Sequence, residues 1–471
     1  MDEQESQKKF WRTPWLAEAI AFLGGGVYLV QSWIYAHTQA SILDEGAYLL
    51  KGLMYARGQY HPYQDYGFWT NHMPLSFLIP GYTQVLFGPG IRTGRYLALV
   101  LGALMVLGTW LLARRLGGRW WALGAVWLLA LNIHLIKIYS VFATQGMVAC
   151  MMVWVLVLTL GPDRPPWQLY AGTALAGLTL LTRINMSPVL PLLIVYIFWK
   201  YGKKIGLWSL AIGALVVGVG HAFFWPDILR LWLAWLPLDW VPFFKPWIKP
   251  EDALPNWNPD TDLNDRLQSL FQSIRLHFFG FFGVIITWIL APARKKWRSP
   301  WRFRVAVFLS ALFAVLCLLH GWASLWKNYC VYCLKVYTAF FSILGVMLVI
   351  VSASSWSLKS SRIKRWLPIL IILILSLGIG YSLIPVWGGS LIPQRMMRKV
   401  LQSDVPRLEL FRIQPGTIEL WSLLANKFGH DELDILHRAV TISRLATFLL
   451  LASLFAWLVL RFGRRLIRAV T

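Results

Sequence analysis

The sequence predicts an all-α, polytopic membrane protein of about twelve transmembrane helices with amphipathic helices and loops on its outer face. Three observations carry that prediction. The 471 residues are 57% hydrophobic and only 14% charged, with a mean hydropathy of +0.55, whereas soluble domains are roughly 25% charged. Long apolar runs recur, among them YLALVLGALMVLGTWLLA, LWSLAIGALVVGVGHAFFW, WLPILIILILSLGIGYSLI and LATFLLLASLFAWLVL, and at about 1.5 Å per residue such runs reach across roughly 30 Å of hydrocarbon. Basic and acidic residues, finally, are segregated between alternate connections.

Taken in order, spans are expected near 18–40, 95–113, 120–138, 142–160, 168–184, 187–199, 205–225, 278–292, 304–320, 331–353, 366–387 and 441–460. The polar start MDEQESQKKFWRTP has no short apolar core with a small-residue cleavage site, so the first span is expected to be retained. Lys8, Lys9 and Arg12 precede that span. Arg114, Arg115 and Arg119 follow the second, and Lys200, Lys203 and Lys204 follow a later one. ARKKWRSPWRFR, the Lys359 to Arg365 cluster and RFGRRLIR complete the basic set. Short Lys- and Arg-rich loops stay cytoplasmic, which places both termini inside. The formal charge of +24 is accounted for by this pattern, and no nucleic-acid partner is needed. The stretch PLSFLIPGYTQVLFG, 74–88, is apolar but short and flanked by proline, and reads as a re-entrant or interfacial helix. No internal repeat stands out. The expected organisation is a core over 1–387 with outer loops 41–94 and 226–277, an outer-face segment 388–440, and a last transmembrane helix with a basic cytoplasmic tail over 441–471.

Apart from the N-terminal acids with Glu18, and Asp163 in a short inner loop, every carboxylate falls in a segment expected outside. Long acidic and aromatic loops gathered on one face suggest that the protein works there. In DEGAYLLKGLMYARGQ, residues 44–59, apolar Tyr48, Leu49, Leu53 and Met54 recur at helical spacing while Lys51 and Arg57 lie off that stripe. This predicts an amphipathic helix on the outer surface, begun by Asp44 and Glu45, whose charge suits a helix N-terminus. The two acids could simply cap it. Beside a loop bearing Tyr63, Asp65, Tyr66, Trp69, Asn71 and His72, they could equally supply a general base next to the polar and aromatic surface that a carbohydrate requires.

The order Asp-Glu-Gly-Ala-Tyr (44–48), Gly58, His61-Pro62-Tyr63-Gln64-Asp65 and His72-Met73-Pro74-Leu75 resembles the first outer loop of the GT-C glycosyltransferases. The branch it is most similar to is the bacterial one related to protein O-mannosyltransferases and the lipid A aminoarabinose transferase, families 39 and 83. Leu86-Phe87-Gly88, Arg95 opening a span, Ala113-Arg114-Arg115-Leu116-Gly117 closing it and Gly177-Leu178-Thr179-Leu180-Leu181-Thr182-Arg183 extend the likeness over about residues 40–190. Beyond that it is architectural only.

The resemblance implies a GT-C fold and transfer of a hexose or pentose from a polyprenyl-phosphate sugar to a lipid, glycan or protein acceptor at the outer, extracytoplasmic face. It maps the catalytic base to Asp44; Glu45, the second candidate catalytic carboxylate, and Asp65 are expected beside it to orient the sugar or acceptor. A carboxylate suits the task because the attacking hydroxyl must lose a proton. The ionised phosphate leaving group needs none, so inversion at the anomeric carbon is expected. Arg183, alone between apolar segments, is a candidate ligand for the lipid phosphate, although it could instead snorkel to the surface. His72 occupies the position where some members carry a phosphate-binding lysine, and Met73 replaces a proline. Tyr63 and Asn71 add to the binding surface. In HGWASLWKNYCVYCLKVY, 320–337, Lys327 and Tyr329 stand where the family often has an Arg-Tyr motif, though an aromatic interfacial belt explains the tyrosines as well.

Cys330 and Cys333 form a lone CxxC among four cysteines, which makes no zinc site and leaves an outer-face disulfide or inert thiols. No cofactor is expected. Asp44, Glu45, His61, Asp65 and His72 carry ligand-type atoms but no metal-binding spacing. The competing reading is a lipid-linked sugar transporter or flippase, which would show ionisable groups at mid-bilayer and similar halves.

Overall fold

The computed structural model describes residues 14–39, 41–60, 72–233, 263, 265–266, 269–270, 273, 277–290, 297, 299–324 and 334–355. Among them there is no β-strand. The helices, in chain order, are α1 Pro14–Thr38, α2 Leu43–Ala56, α3 Leu75–Phe87, α4 Ile91–Gly117, α5 Arg119–Leu131, α6 Ile133–Ser140, α7 Thr144–Thr159 and α8 Pro166–Thr182. They continue with α9 Val189–Tyr201, α10 Lys203–Phe223, α11 Leu229–Leu233, α12 Phe278–Leu290, α13 Pro300–Ser324, α14 Leu334–Tyr337 and α15 Phe341–Ala353. The expected spans at 366–387 and 441–460, the 388–440 segment and most of the 226–277 loop lie outside the described residues.

The chain is a multi-pass membrane protein. Five helical segments are long and apolar enough to cross a bilayer, at Trp15–His37, Ile91–Gly117, Ile184–Tyr201, Lys203–Phe223 and Pro300–Ala323. The other apolar helices are shorter than a span. The segment expected to cross as one helix over 120–138 does not: α5 and α6 meet at a 74° bend. Its cause is Asn132, whose side chain accepts the Leu135 N–H at 3.1 Å and so caps a new helix. The bend ends in an extended stretch around Val141 that begins α7 at Thr144. Nearly every position of α7 is buried, in keeping with a helix that is apolar all round. It packs against α4 on one side and α8 on the other.

The 27-residue α4 sets the height of the molecule. Arg95 lies near its start and Arg115 near its end, roughly 30 Å apart at 1.5 Å per residue, the thickness of a hydrocarbon core. At the Arg115 end, cations satisfy the carbonyls that terminate α7. Arg115 Nη1 donates to Leu160 O at 3.0 Å and also to Val157 O, Arg164 Nε donates to Leu158 O at 3.2 Å, and Lys200 Nζ donates to Gly161 O. Positive charge is favourable at a helix C-terminus. These basic residues, read in sequence as topology signals, therefore also close a helix end. Glu18, an exception to the outer placement of acids, belongs to this same end: it accepts from Arg114 at 2.9 Å, Arg119 at 3.3 Å and Trp110 Nε1 at 3.0 Å.

The opposite end of α4 carries the α2–α3 pair, where the sequence predicts a surface helix and an interfacial one. The two cross at glycine. A Cβ on Gly81 would lie 2.1 Å from the carbonyl oxygen of Gly52, and a Cβ on Gly52 would lie 2.6 Å from Phe77 O. Backbone on both sides leaves nothing flexible to yield. Gln84 Nε2 donates to Leu49 O at 2.8 Å across the same crossing. Gly81→Ala is thus expected to push α2 from α3 and to cost about 1–3 kcal/mol or more. The drop should appear as a lower thermal unfolding midpoint in detergent, and an unchanged midpoint would contradict the close crossing.

Candidate functional site

Asp44 and Glu45 are neighbours on the first turn of α2, so about 100° of helix rotation separates their side chains. They meet different surroundings. Glu45 points inward and is fully buried. Its carboxylate accepts from Arg95 Nε and Nη2 at 3.0 Å each, from the Phe142 backbone N–H at 3.0 Å and from Ser41 Oγ at 2.9 Å. Arg95 uses Nη1 to reach Ala36 O at 2.8 Å. The bend at Asn132 thus has a structural counterpart, because it delivers Phe142 to Glu45. This fork-to-fork ion pair ties α1, α2, α4 and the entry to α7 into one joint.

Asp44 is half-buried and accepts no hydrogen bond among the described residues. Burial raises its pKa above the ordinary carboxylate value, and the nearby Arg183 guanidinium opposes the rise. No Asp44–Arg183 ion pair forms within 4 Å. One turn along α2, Tyr48 is buried, with Thr144 at the N-terminus of α7 near its hydroxyl. Edge-on against Tyr48 stands His72, with ring centroids 5.1 Å apart, and His72 also meets Phe77 edge-on at 5.8 Å. Met73 packs with Leu180 and Leu181 of the last turn of α8, which brings the start of α3 to the end of the helix that carries Arg183.

Helix α8 stops at Arg183, whose backbone is extended, and the chain turns through a short 3-10 segment, Ile184–Met186. The Arg183 side chain lies over the Tyr337 ring at 4.9 Å. It donates to Thr144 Oγ1 at 2.7 Å and to Asn185 Oδ1 at 3.1 Å. Electrostatically, Tyr48 and Tyr337 both lie within reach of Asp44 and Arg183 together. A carboxylate and a guanidinium therefore lie within electrostatic reach of each other without forming an ion pair, with Tyr48 and Tyr337 near both.

Of the residues singled out in sequence, the structure brings Asp44 and Arg183 together, joins His72 to that group through Tyr48, and sets Glu45 apart in its own joint. Tyr63, Asp65, Asn71, Lys327 and Tyr329 lie outside the described residues, as do His61, Cys330 and Cys333. Sequence reasoning passed over Thr144, Asn185, His320 and Tyr337, and gave Tyr48 a place only in an apolar stripe and in the 44–48 motif. Most of them sit beside other polar residues, as Thr144 does beside Gln145 and Asn185 near Arg183, so no local pattern marked them. Lys51, two turns beyond Asp44 on α2, is buried beside Tyr60 and Phe77, each ring centroid 5.7 Å from Nζ. Burial pulls its ammonium down to about 7. Among the described residues no three His, Cys, Asp or Glu side chains gather to hold a metal ion.

No protein-family model and no curated protein matches this sequence. Solved structures show a loose likeness. The apo oligosaccharyltransferase of Archaeoglobus fulgidus superposes with a TM-score of 0.47 at 13% identity, over 87% of this chain and 61% of that one. ArnT from Cupriavidus metallidurans bound to undecaprenyl phosphate gives a TM-score of 0.45 at 16% identity, over 93% of this chain and 76% of that one. This chain is thus equivalent to less than two thirds of the archaeal enzyme's length. With both TM-scores below 0.5, the chemistry rests on the residues of the chain itself.

Proposed function

We propose that the protein is a membrane glycosyltransferase that moves a sugar from a polyprenyl-phosphate donor to an acceptor hydroxyl at the outer face of a bacterial inner membrane. The observation that carries this reading is the Asp44–Arg183 arrangement: a half-buried carboxylate with no hydrogen bond among the described residues, close to but not paired with a fixed guanidinium. Opposite charges held apart across a shared space suit a displacement in which one receives a proton and the other stabilises a leaving anion.

In the reaction, the acceptor oxygen bonds to the anomeric carbon as the bond from that carbon to the phosphate oxygen breaks. The bonding pair leaves with the phosphate, whose charge Arg183 stabilises. The acceptor proton passes to the Asp44 carboxylate. A single displacement inverts the anomeric centre. Glu45 acts here as a positioning residue, holding α2 so that Asp44 faces Arg183. Tyr48 and His72 wall the site, and Tyr63, Asp65, Asn71, Lys327 and Tyr329 extend the sugar and acceptor surface. The acid-bearing end of α4 is the outer one in this reading, and both termini are cytoplasmic.

The test uses the purified full chain in detergent with radiolabelled undecaprenyl-phosphate sugars and a native lipid extract as the acceptor source. Undecaprenyl phosphate is the lipid seen on ArnT. Transfer of label to the extract is expected. No transfer from any donor, together with movement of labelled lipid-sugar across proteoliposome bilayers, would replace the enzyme by a flippase.

A further inference from the structure

The Arg183 contacts continue through a second layer of residues drawn from another helix. Asn185 Nδ2 lies 3.1 Å from His320 Nε2, and His320 Nδ1 lies 2.8 Å from Leu316 O. The donor directions follow from the groups present. A carbonyl only accepts, so the Leu316 contact places the proton of the neutral ring on Nδ1 and leaves Nε2 as an acceptor. Nε2 takes the Asn185 amide N–H, and the amide oxygen of Asn185 is left to accept from Arg183 Nε at 3.1 Å. At the other side Thr144, itself buried, accepts from Nη1 at 2.7 Å. Each member of the chain has the only polarity its neighbour permits.

Two of the five guanidinium N–H groups are spent on this frame. The second N–H of Nη1 and both of Nη2 have no partner among the described residues. We propose that Asn185 and His320 are positioning residues that hold Arg183 with those remaining donors aimed at the phosphate of the lipid donor. This deepens the proposed function and rests on its assignment of Arg183 to the phosphate.

The physical reason is preorganisation. An arginine side chain loses much rotamer freedom when it is fixed, and a phosphate that had to order it would bind more weakly. His320 is 3% exposed and Thr144 is 1% exposed, so the two outer members of the frame are shielded from water while Arg183 and Asn185 between them are half-buried. The Tyr337 ring at 4.9 Å supports the guanidinium face and leaves its edge open.

The experiment measures binding of sugar-free undecaprenyl phosphate to the purified full chain, with the thermal midpoint of each variant as a control for folding. Arg183→Leu should lose measurable binding. Asn185→Leu and His320→Phe should each weaken it about tenfold, the effect of one charge-assisted hydrogen bond. His320→Gln, which keeps an acceptor for the Asn185 amide, should restore most of the loss. Combining Asn185→Leu with His320→Phe should add little to either alone, because both break one chain. If His320→Phe does not fold, Asn185→Ser removes the amide from the same frame without adding apolar bulk and is expected to give the same tenfold loss. Full binding by the Asn185 and His320 variants beside loss in Arg183→Leu overturns the frame. Full binding by Arg183→Leu overturns the phosphate assignment beneath it.

Discussion

Replacing Asp44 by Asn is expected to lower sugar transfer by about 10²- to 10⁴-fold, the usual contribution of a positioned general base, while undecaprenyl-phosphate binding persists. The exchange is nearly isosteric and disturbs no hydrogen bond among the described residues. Its effect should therefore be chemical. The sign of the pH dependence follows from the environment of the carboxylate. Burial raises its pKa from 3.8 and Arg183 restrains the rise, so the acid limb of the transfer rate should lie above that of an ordinary aspartate and disappear in the variant.

Stability should move the other way. A carboxyl group whose folded pKa is raised binds its proton more tightly in the native state. Its stabilising contribution is complete below the unfolded value of 3.8 and is lost as pH rises through the folded value. At neutral pH the ionised Asp44 is thus a cost to the fold, and Asp44→Asn should melt at the same temperature or higher. That advantage should vanish in acid. Loss of activity with gain of stability separates a catalytic carboxylate from one that merely supports the start of α2 by its charge, since neutralising a favourable charge at a helix N-terminus lowers the melting temperature. Undiminished transfer by Asp44→Asn would remove Asp44 as the base.

The two readings of the acidic pair could not be separated in sequence because adjacent helical positions differ by a rotation that only neighbours can orient. No side chain caps the start of α2 by a hydrogen bond, and each acid has its own surroundings. Glu45 belongs to the architecture through Arg95, 50 positions away, and through Phe142, 97 positions away. Asp44 is left facing Arg183, which sequence depth alone had already marked. The helix after the pair was legible from its apolar spacing, and the short 74–88 helix from its length and prolines, but the buried side of the former was not, since Lys51, off the apolar stripe, is 2% exposed. The bend between α5 and α6 was hidden because the capping role of Asn132 depends on local backbone geometry. His320 and Asn185, 135 positions apart, meet only when α13 packs at the 3-10 turn after α8. No spacing rule connects them.

Glu45→Ala is expected to destabilise the fold by about 3–5 kcal/mol, the cost of breaking a buried ion pair from one side. The substitution would leave Arg95, 7% exposed, with two donors facing the site of the missing carboxylate, and would orphan the buried Phe142 N–H as well. Uncompensated buried charge is the larger part of that penalty, so removing both partners should cost less. Glu45→Leu combined with Arg95→Met is expected to regain part of the thermal midpoint lost in Glu45→Ala, with the Phe142 N–H still unsatisfied. Transfer should fall in the single variant in step with melting, because α2 carries Asp44 and moves when its joint is broken. A Glu45 that itself touched the sugar would behave differently: Glu45→Gln, which preserves shape and two of the acceptor contacts, would abolish transfer at an unchanged melting temperature. The positioning role instead predicts that Glu45→Gln lowers the melting temperature by less than Glu45→Ala and retains transfer in proportion to the folded fraction.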